Sequence, residues 1–121
     1  MDRFLNKRDV GSRYEDTACR FLTEQGYTIL EKNFQCKIGE IDIIGKSEGY
    51  LCFIEVKYRS SSEFGFPSEA VDNRKRRKIF YTAISYMNYR KYLPDTPCRF
   101  DIVVILKDRY TLIKNAFEGI L

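Results

Sequence analysis

Histidine is absent from all 121 residues, and Cys19, Cys36, Cys52 and Cys98 are dispersed without a Cys-x-x-Cys pair. Zinc fingers, Cys–His centres and Ser–His catalysis are thereby excluded. The cysteines read as small core residues of a reducing compartment. Long apolar runs are missing too. The longest aliphatic stretch, Ile102-Val103-Val104-Ile105-Leu106, is far too short to cross a membrane. The first eight residues hold no apolar stretch of the secretory kind, so the cytoplasm is the expected compartment. Neither a repeat nor a low-complexity segment breaks the chain.

What is present suits a packed globule. Nine Tyr, nine Phe and a hydrophobic content of 44% argue against disorder. A single domain spanning residues 1–121 is expected, with roughly two thirds of the unfolded surface buried. The net charge of +4 is modest, but Arg74-Lys75-Arg76-Arg77-Lys78 places five cations in succession. Such a run suits a phosphate-bearing partner or a solvated helical face.

Residue periodicity predicts a helix from about residue 10 to residue 25, capped by Asp9 and closed by Gly26-Tyr27. Tyr14, Ala18, Phe21 and Leu22 form its apolar stripe, and Glu15 falls on the same side. An anion near a helix start is favoured by the dipole, which is one reason for Glu15; a functional site is the other. Strands are expected over 27–34, 40–46 and 50–59, the last two joined through Ser47-Glu48-Gly49. A connection rich in Ser and Gly follows over 60–67. A second helix runs from an Asp72 cap to about residue 92, burying Ile79, Phe80, Ala83, Ile84 and Met87. Strands over 100–107 and 110–117 complete the chain. This order predicts an α/β fold, a three-layer α/β/α sandwich with a mixed five-stranded sheet and the third strand central.

Two of these strands carry the chemistry. Gly39-Glu40-Ile41-Asp42-Ile43-Ile44 and Phe53-Ile54-Glu55-Val56-Lys57 are apolar enough to be buried, yet each holds a carboxylate where water is scarce. Glu55 and Lys57, two apart, share one face of the strand. Two carboxylates about 4 Å apart repel by roughly 4 kcal/mol at an effective dielectric of 20. Lys57 offsets one charge, and a divalent cation would offset the rest. Oxygen ligands alone suit Mg²⁺ or Mn²⁺. Asp42 and Glu55 are the candidate ligands, with the Val56 carbonyl as an additional one and Glu15 binding directly or through water. Lys57 is suited to orient an attacking water or to stabilise transition-state charge. Phosphodiester hydrolysis matches this set, because a cation neutralises non-bridging oxygens and the departing alkoxide.

The residues Gly11-Ser12-Arg13-Tyr14-Glu15, Gly26-Tyr27, Asn33, Gly39-Glu40-Ile41-Asp42, Phe53-Ile54-Glu55-Val56-Lys57-Tyr58-Arg59, Phe64-Gly65-Phe66-Pro67, Glu69-Ala70-Val71, Lys75 and Arg99-Phe100-Asp101 form a specific combination. It resembles the PD-(D/E)xK nuclease superfamily, whose restriction-endonuclease-like fold includes archaeal Holliday-junction resolvases. More closely, it resembles the YraN family of small bacterial proteins. The resemblance implies that Asp42 is the metal-binding aspartate, Glu55 the second ligand, Lys57 the motif lysine and Glu15 the helical acid of the resolvase-like branch. Ile41 stands where the motif has proline. A metal-dependent nuclease acting on DNA, branched structures included, is the implied function, and a two-fold homodimer the implied assembly. The alternatives are a non-catalytic nucleic-acid-binding module and an assembly partner whose buried charges merely lock one another.

Arg59, Arg74, Lys75, Arg77 and Lys78 are the candidate contacts to a nucleic-acid backbone, without any base-reading motif. Glu40 reads as a strand-end charge or a group supporting Asp42. Asp101 is expected in an ion pair with Arg99 or Arg59. The tyrosines can stack bases, but most read as core or rim.

Overall fold

Gly26 decides where the first helix ends. Helix α1 (Lys7–Glu24) stops as Gly26 turns to a φ of +94°, a left-handed conformation that glycine adopts without steric cost. The Tyr27 amide then donates to the Leu22 carbonyl and the Gly26 amide to that of Thr23, closing the helix as the Gly26-Tyr27 pair predicts. The helix starts before Val10, so Asp9 lies inside its first turn and is not the cap. Lys7 and Arg8 are good helix formers, and nothing in them delays the start. The computed structural model describes residues 7–59 and 72–118, with side chains from residue 13 onward. The connection expected over 60–67, and the resemblance residues up to 71, lie outside the described residues.

Strands β1 (Thr28–Gln35), β2 (Glu40–Ser47) and β3 (Tyr50–Arg59) form an antiparallel meander. After helix α2 (Asn73–Tyr89), strand β4 (Cys98–Leu106) pairs parallel to β3, and β5 (Arg109–Phe117) returns antiparallel to β4. The order is β1-β2-β3-β4-β5, a mixed five-stranded sheet with β3 in the middle.

Each face of the sheet has its own core and its own helix. Ala18 and Leu22 of α1 pack with Tyr27, Ile43, Cys52, Ile54, Val103 and Ile105. Ile79, Ala83 and Tyr86 of α2 pack with Ile41, Ile44, Phe53, Phe100, Ile102 and Phe117 on the other side. The result is the expected three-layer α/β/α sandwich. Phe53 and Ile54, adjacent along β3, point to opposite cores, as a strand buried on both faces requires.

Asp72 caps α2, its carboxylate accepting from the Lys75 amide at 2.9 Å. The helix ends at Tyr89, short of residue 92, because Lys91 turns to a φ of +60° and the Tyr92 amide reaches back to the Met87 carbonyl. Pro94 forbids a further turn. Ile84, expected inside, is exposed, and Tyr86 takes its place. One step past Ala83 is about 100° round a helix, far from the core-facing stripe.

Asp101, with no exposed surface, accepts from the Tyr27 hydroxyl at 2.7 Å, from Arg99 Nε at 2.9 Å and from the Asn115 amide at 2.9 Å. It pairs with Arg99, not Arg59, and ties β4 to β5 and to the end of α1. No described helix is long and apolar enough to cross a membrane.

Candidate active site

The β2–β3 ladder stops just where the charges begin. Cα partners run from Ser47–Tyr50 to Ile43–Ile54; continuing that register would set Ile41 opposite Val56. Instead, the Val56 amide donates to Asp42 Oδ2 at 2.8 Å. A side chain thus replaces a main-chain acceptor, and the strands part at Asp42. The N–H and C=O of one strand residue point to the same neighbour, so the Val56 carbonyl opens toward the same gap.

The partner strand breaks its own pattern at the same level. Asn33 of β1, opposite Asp42 by register, sits at a φ of +56° between the paired residues Lys32 and Phe34. Asparagine tolerates this left-handed conformation better than other residues with a Cβ. The disruption also breaks the alternation of β2: Ile41 enters the α2-side core, whereas Ile43 enters the α1-side core.

Glu15, half-buried on α1, lies over this break. Burial pushes its carboxyl above the usual range, hydrogen bonding to Asn33 opposes that, and the charge of Glu40 adds to it. Asp42 is pushed up to about 8, first by burial and then by the charge of Glu55; the Val56 amide opposes the shift, and Glu15 adds to it. Carboxylates from α1, β2 and β3 therefore share one electrostatic field.

Glu55 is 6% exposed and carries two ammonium partners, Lys75 Nζ at 2.6 Å and Lys57 Nζ at 3.5 Å. Burial pushes Lys57 below the ordinary lysine range, and its neighbour Lys75 pushes the same way. Burial would lower Lys75 as well, but its hydrogen bond and attraction to Glu55 outweigh that and hold it above. Among the described residues no buried side-chain polar atom lacks a partner, so the cluster satisfies itself through its lysines.

The structure thus brings Asp42, Glu55 and Lys57 into one cluster, with Glu15 acting on Asp42. Lys75, a candidate nucleic-acid contact in the cationic run, has its ammonium held by Glu55. Asn33 carried no assigned role. An asparagine inside a strand-forming segment, where that residue is depleted, was the available signal. Arg59 shares the face of Glu55 and Lys57, and its Nη1 donates to the Tyr58 carbonyl at 3.1 Å. Glu40 is exposed at the start of β2 and accepts from Gln35 Nε2 at 3.2 Å.

Among the described residues no three carboxylate or thiol side chains stand ready as a metal cage. The donor set nevertheless fits a hard divalent cation. It is made only of oxygens, it lines a gap between parted strands, and three carboxylates outweigh two ammoniums by one charge if all are ionised. To hold such a cation, Glu55 would have to give up Lys75. Lys75→Gln is expected to lower stability by only about 1 kcal/mol in urea unfolding, because Lys75 is 44% exposed and Lys57 still faces Glu55. A loss of three times that size would mean that Lys57 does not compensate.

Comparison with known proteins places the chain. The model of uncharacterised protein family UPF0102 matches residues 14–105, which include Glu15, Asp42, Glu55, Lys57 and Lys75. A UPF0102 protein of Lachnoclostridium phytofermentans is 49% identical over 115 residues, covering 95% of this chain and 98% of that protein. Relatives of the same name from Clostridium kluyveri (48% over 117 residues, 92% and 95% covered) and Coxiella burnetii (46% over 116 residues, 95% and 97% covered) are similar along nearly their whole length. The chain belongs to the uncharacterised protein family UPF0102, the YraN family.

Proposed function

We propose that the chain is an Mg²⁺- or Mn²⁺-dependent nuclease that hydrolyses phosphodiester bonds of DNA, branched structures included. One observation carries the reading: Asp42, at a break in the sheet, is surrounded by the charges of Glu15, Glu55 and Lys75 from three other elements. Such crowding is unfavourable for a fold alone and is the arrangement that a cation-assisted reaction needs.

Asp42 and Glu55 would hold the cation, the Val56 carbonyl would add an oxygen, and Asn33 would orient Glu15 at the edge. When bound, the cation neutralises the non-bridging phosphate oxygens and eases departure of the leaving oxygen. Lys57 Nζ, on the same strand face as Glu55 and eased below its ordinary pKa, is placed to orient the attacking water or to hold its proton. The sandwich keeps these groups in register through the two cores that flank β3.

The test is cleavage of labelled duplex, single-stranded and four-way-junction DNA, and of RNA, in Mg²⁺, Mn²⁺ or EDTA. Cutting that needs the metal and is lost in Asp42→Asn and Glu55→Gln supports the reading. A second reading, a nucleic-acid-binding module without catalysis, draws on the two lysines that already satisfy Glu55. It predicts salt-dependent binding and no cutting under any of these conditions.

A further inference from the structure

The run of five cations is divided by the helix into different jobs. Lys75 turns inward to Glu55, and the Arg76 guanidinium lies over the Phe117 ring at 5.3 Å from its centroid. Arg74 and Lys78, four apart and so on one side of α2, line a cleft of about 330 Å³ with Gly39, Glu40, Lys75 and Ile79. Arg77 is exposed and is not part of the cleft wall.

The cleft has the makings of an anion seat. Neither Arg74 nor Lys78 forms an ion pair among the described residues. Glu40, the carboxylate of the cleft, is bonded to Gln35 of β1. The opposite wall is backbone brought close: a Cβ at Gly39 would stand 3.3 Å from Thr82 Oγ1 and 3.7 Å from Lys78 Cβ. The first turn of α2 contains no acidic residue. Cations at this end oppose the helix dipole, and an anion between them reverses that cost.

We propose that this cleft seats a backbone phosphate of the bound DNA strand, one flanking the phosphodiester that lies at the carboxylates. The proposal rests on the nucleic-acid reading above and adds the subsite. Lys75 is the wall between the two places, lining the cleft while bonding Glu55. A phosphate in the cleft competes with Glu55 for that ammonium, so DNA entering the seat frees Glu55 for a cation. By linkage, the cation must in turn tighten DNA.

The experiment is fluorescence anisotropy of the full chain with labelled duplex and junction DNA in EDTA, across a range of KCl concentrations. Arg74→Gln and Lys78→Gln should each weaken binding about three- to tenfold and reduce the salt slope by about one. Arg77→Gln removes the same charge from the same helix and should change both far less. Equal effects of all three variants, no effect of Arg74→Gln and Lys78→Gln, or no binding of wild type to either DNA would overturn the seat. Because nothing is cut in EDTA, a chain that never cleaves DNA still gives the expected pattern if the seat exists. A chain that cleaves but treats the three cations alike keeps the nuclease reading and loses the seat.

Discussion

Asp42→Asn is expected to lower metal-dependent DNA cleavage at least about a hundredfold, and Glu55→Gln to do the same, since removing one preorganised charge-stabilising group typically costs 10²–10³ in rate. Neither change alters side-chain volume, so the fold is retained. The carboxamide oxygen introduced at position 42 would still accept from the Val56 amide, and the one introduced at position 55 would still accept from Lys75. What disappears is negative charge at the parting of β2 and β3. Lys57→Met separates the roles further. On the nuclease reading it should reduce cleavage comparably, because the ammonium would act on water or on transition-state charge, while leaving the metal's effect on melting intact, since lysine is no ligand. Cutting at wild-type rates in both carboxylate variants would remove the assignment. Cutting restored to Lys57→Met by raising the metal concentration would make the lysine a mere counter-ion.

The largest effect on stability should come from Asp101 of β4, on the strand beside that of Glu55. Asp101→Ala is expected to cost about 3–5 kcal/mol, the range for removing one partner of a buried ion pair. Arg99 is itself buried at 7% exposure and would keep, as its ionic partner, Glu48 at 3.3 Å, whose side chain is 58% exposed, beside its bond to the Tyr27 hydroxyl at 3.0 Å. The Tyr27 hydroxyl and the Asn115 amide would lose their acceptor as well. Tyr27→Phe, which removes two hydrogen bonds but no charge, should cost less, about 2 kcal/mol. Midpoints of urea unfolding for the two variants measure the difference. A loss of about 1 kcal/mol or less for Asp101→Ala would show that Glu48 and water replace it.

Much of this was legible in residue order because it depends on local chemistry. Asp72, Gly26 and the hairpin residues Glu48 and Gly49 set element ends through side-chain capping and permitted φ, which a short window contains. The pairing of Glu55 with Lys57 followed from the two-residue period of a strand. The rest depended on contacts between distant segments. Lys75 looked like one member of a cationic run, and only the packing of α2 on the sheet brings it to Glu55, twenty positions away in sequence. Asn33 gave a compositional hint but no direction, since the left-handed turn acquires meaning only opposite Asp42. Ile84 and Tyr86 exchanged places because apolar character alone does not fix the phase of a helical stripe that contains several aromatics.

The pH dependence of the metal-free protein follows from Asp42. Its carboxyl is raised to about 8 by burial and by the neighbouring charges of Glu55 and Glu15, with the Val56 amide and Lys75 opposing. A raised carboxyl binds its proton more tightly in the fold than in the unfolded chain. Its contribution to stability is therefore full below the ordinary aspartate range and is lost as pH rises through about 8. In EDTA, wild type should lose more melting temperature than Asp42→Asn between about pH 6 and about pH 9.

Thermal melting at about pH 8 with and without Mn²⁺, on wild type and Asp42→Asn, bears most directly on the claim that remote acids assemble one cation-binding place. Wild type should gain several degrees, since a ligand at a hundredfold excess over its Kd adds about 2.7 kcal/mol, and Asp42→Asn should gain almost nothing. A wild-type curve unmoved by Mn²⁺, or an equal gain in both proteins, would contradict it.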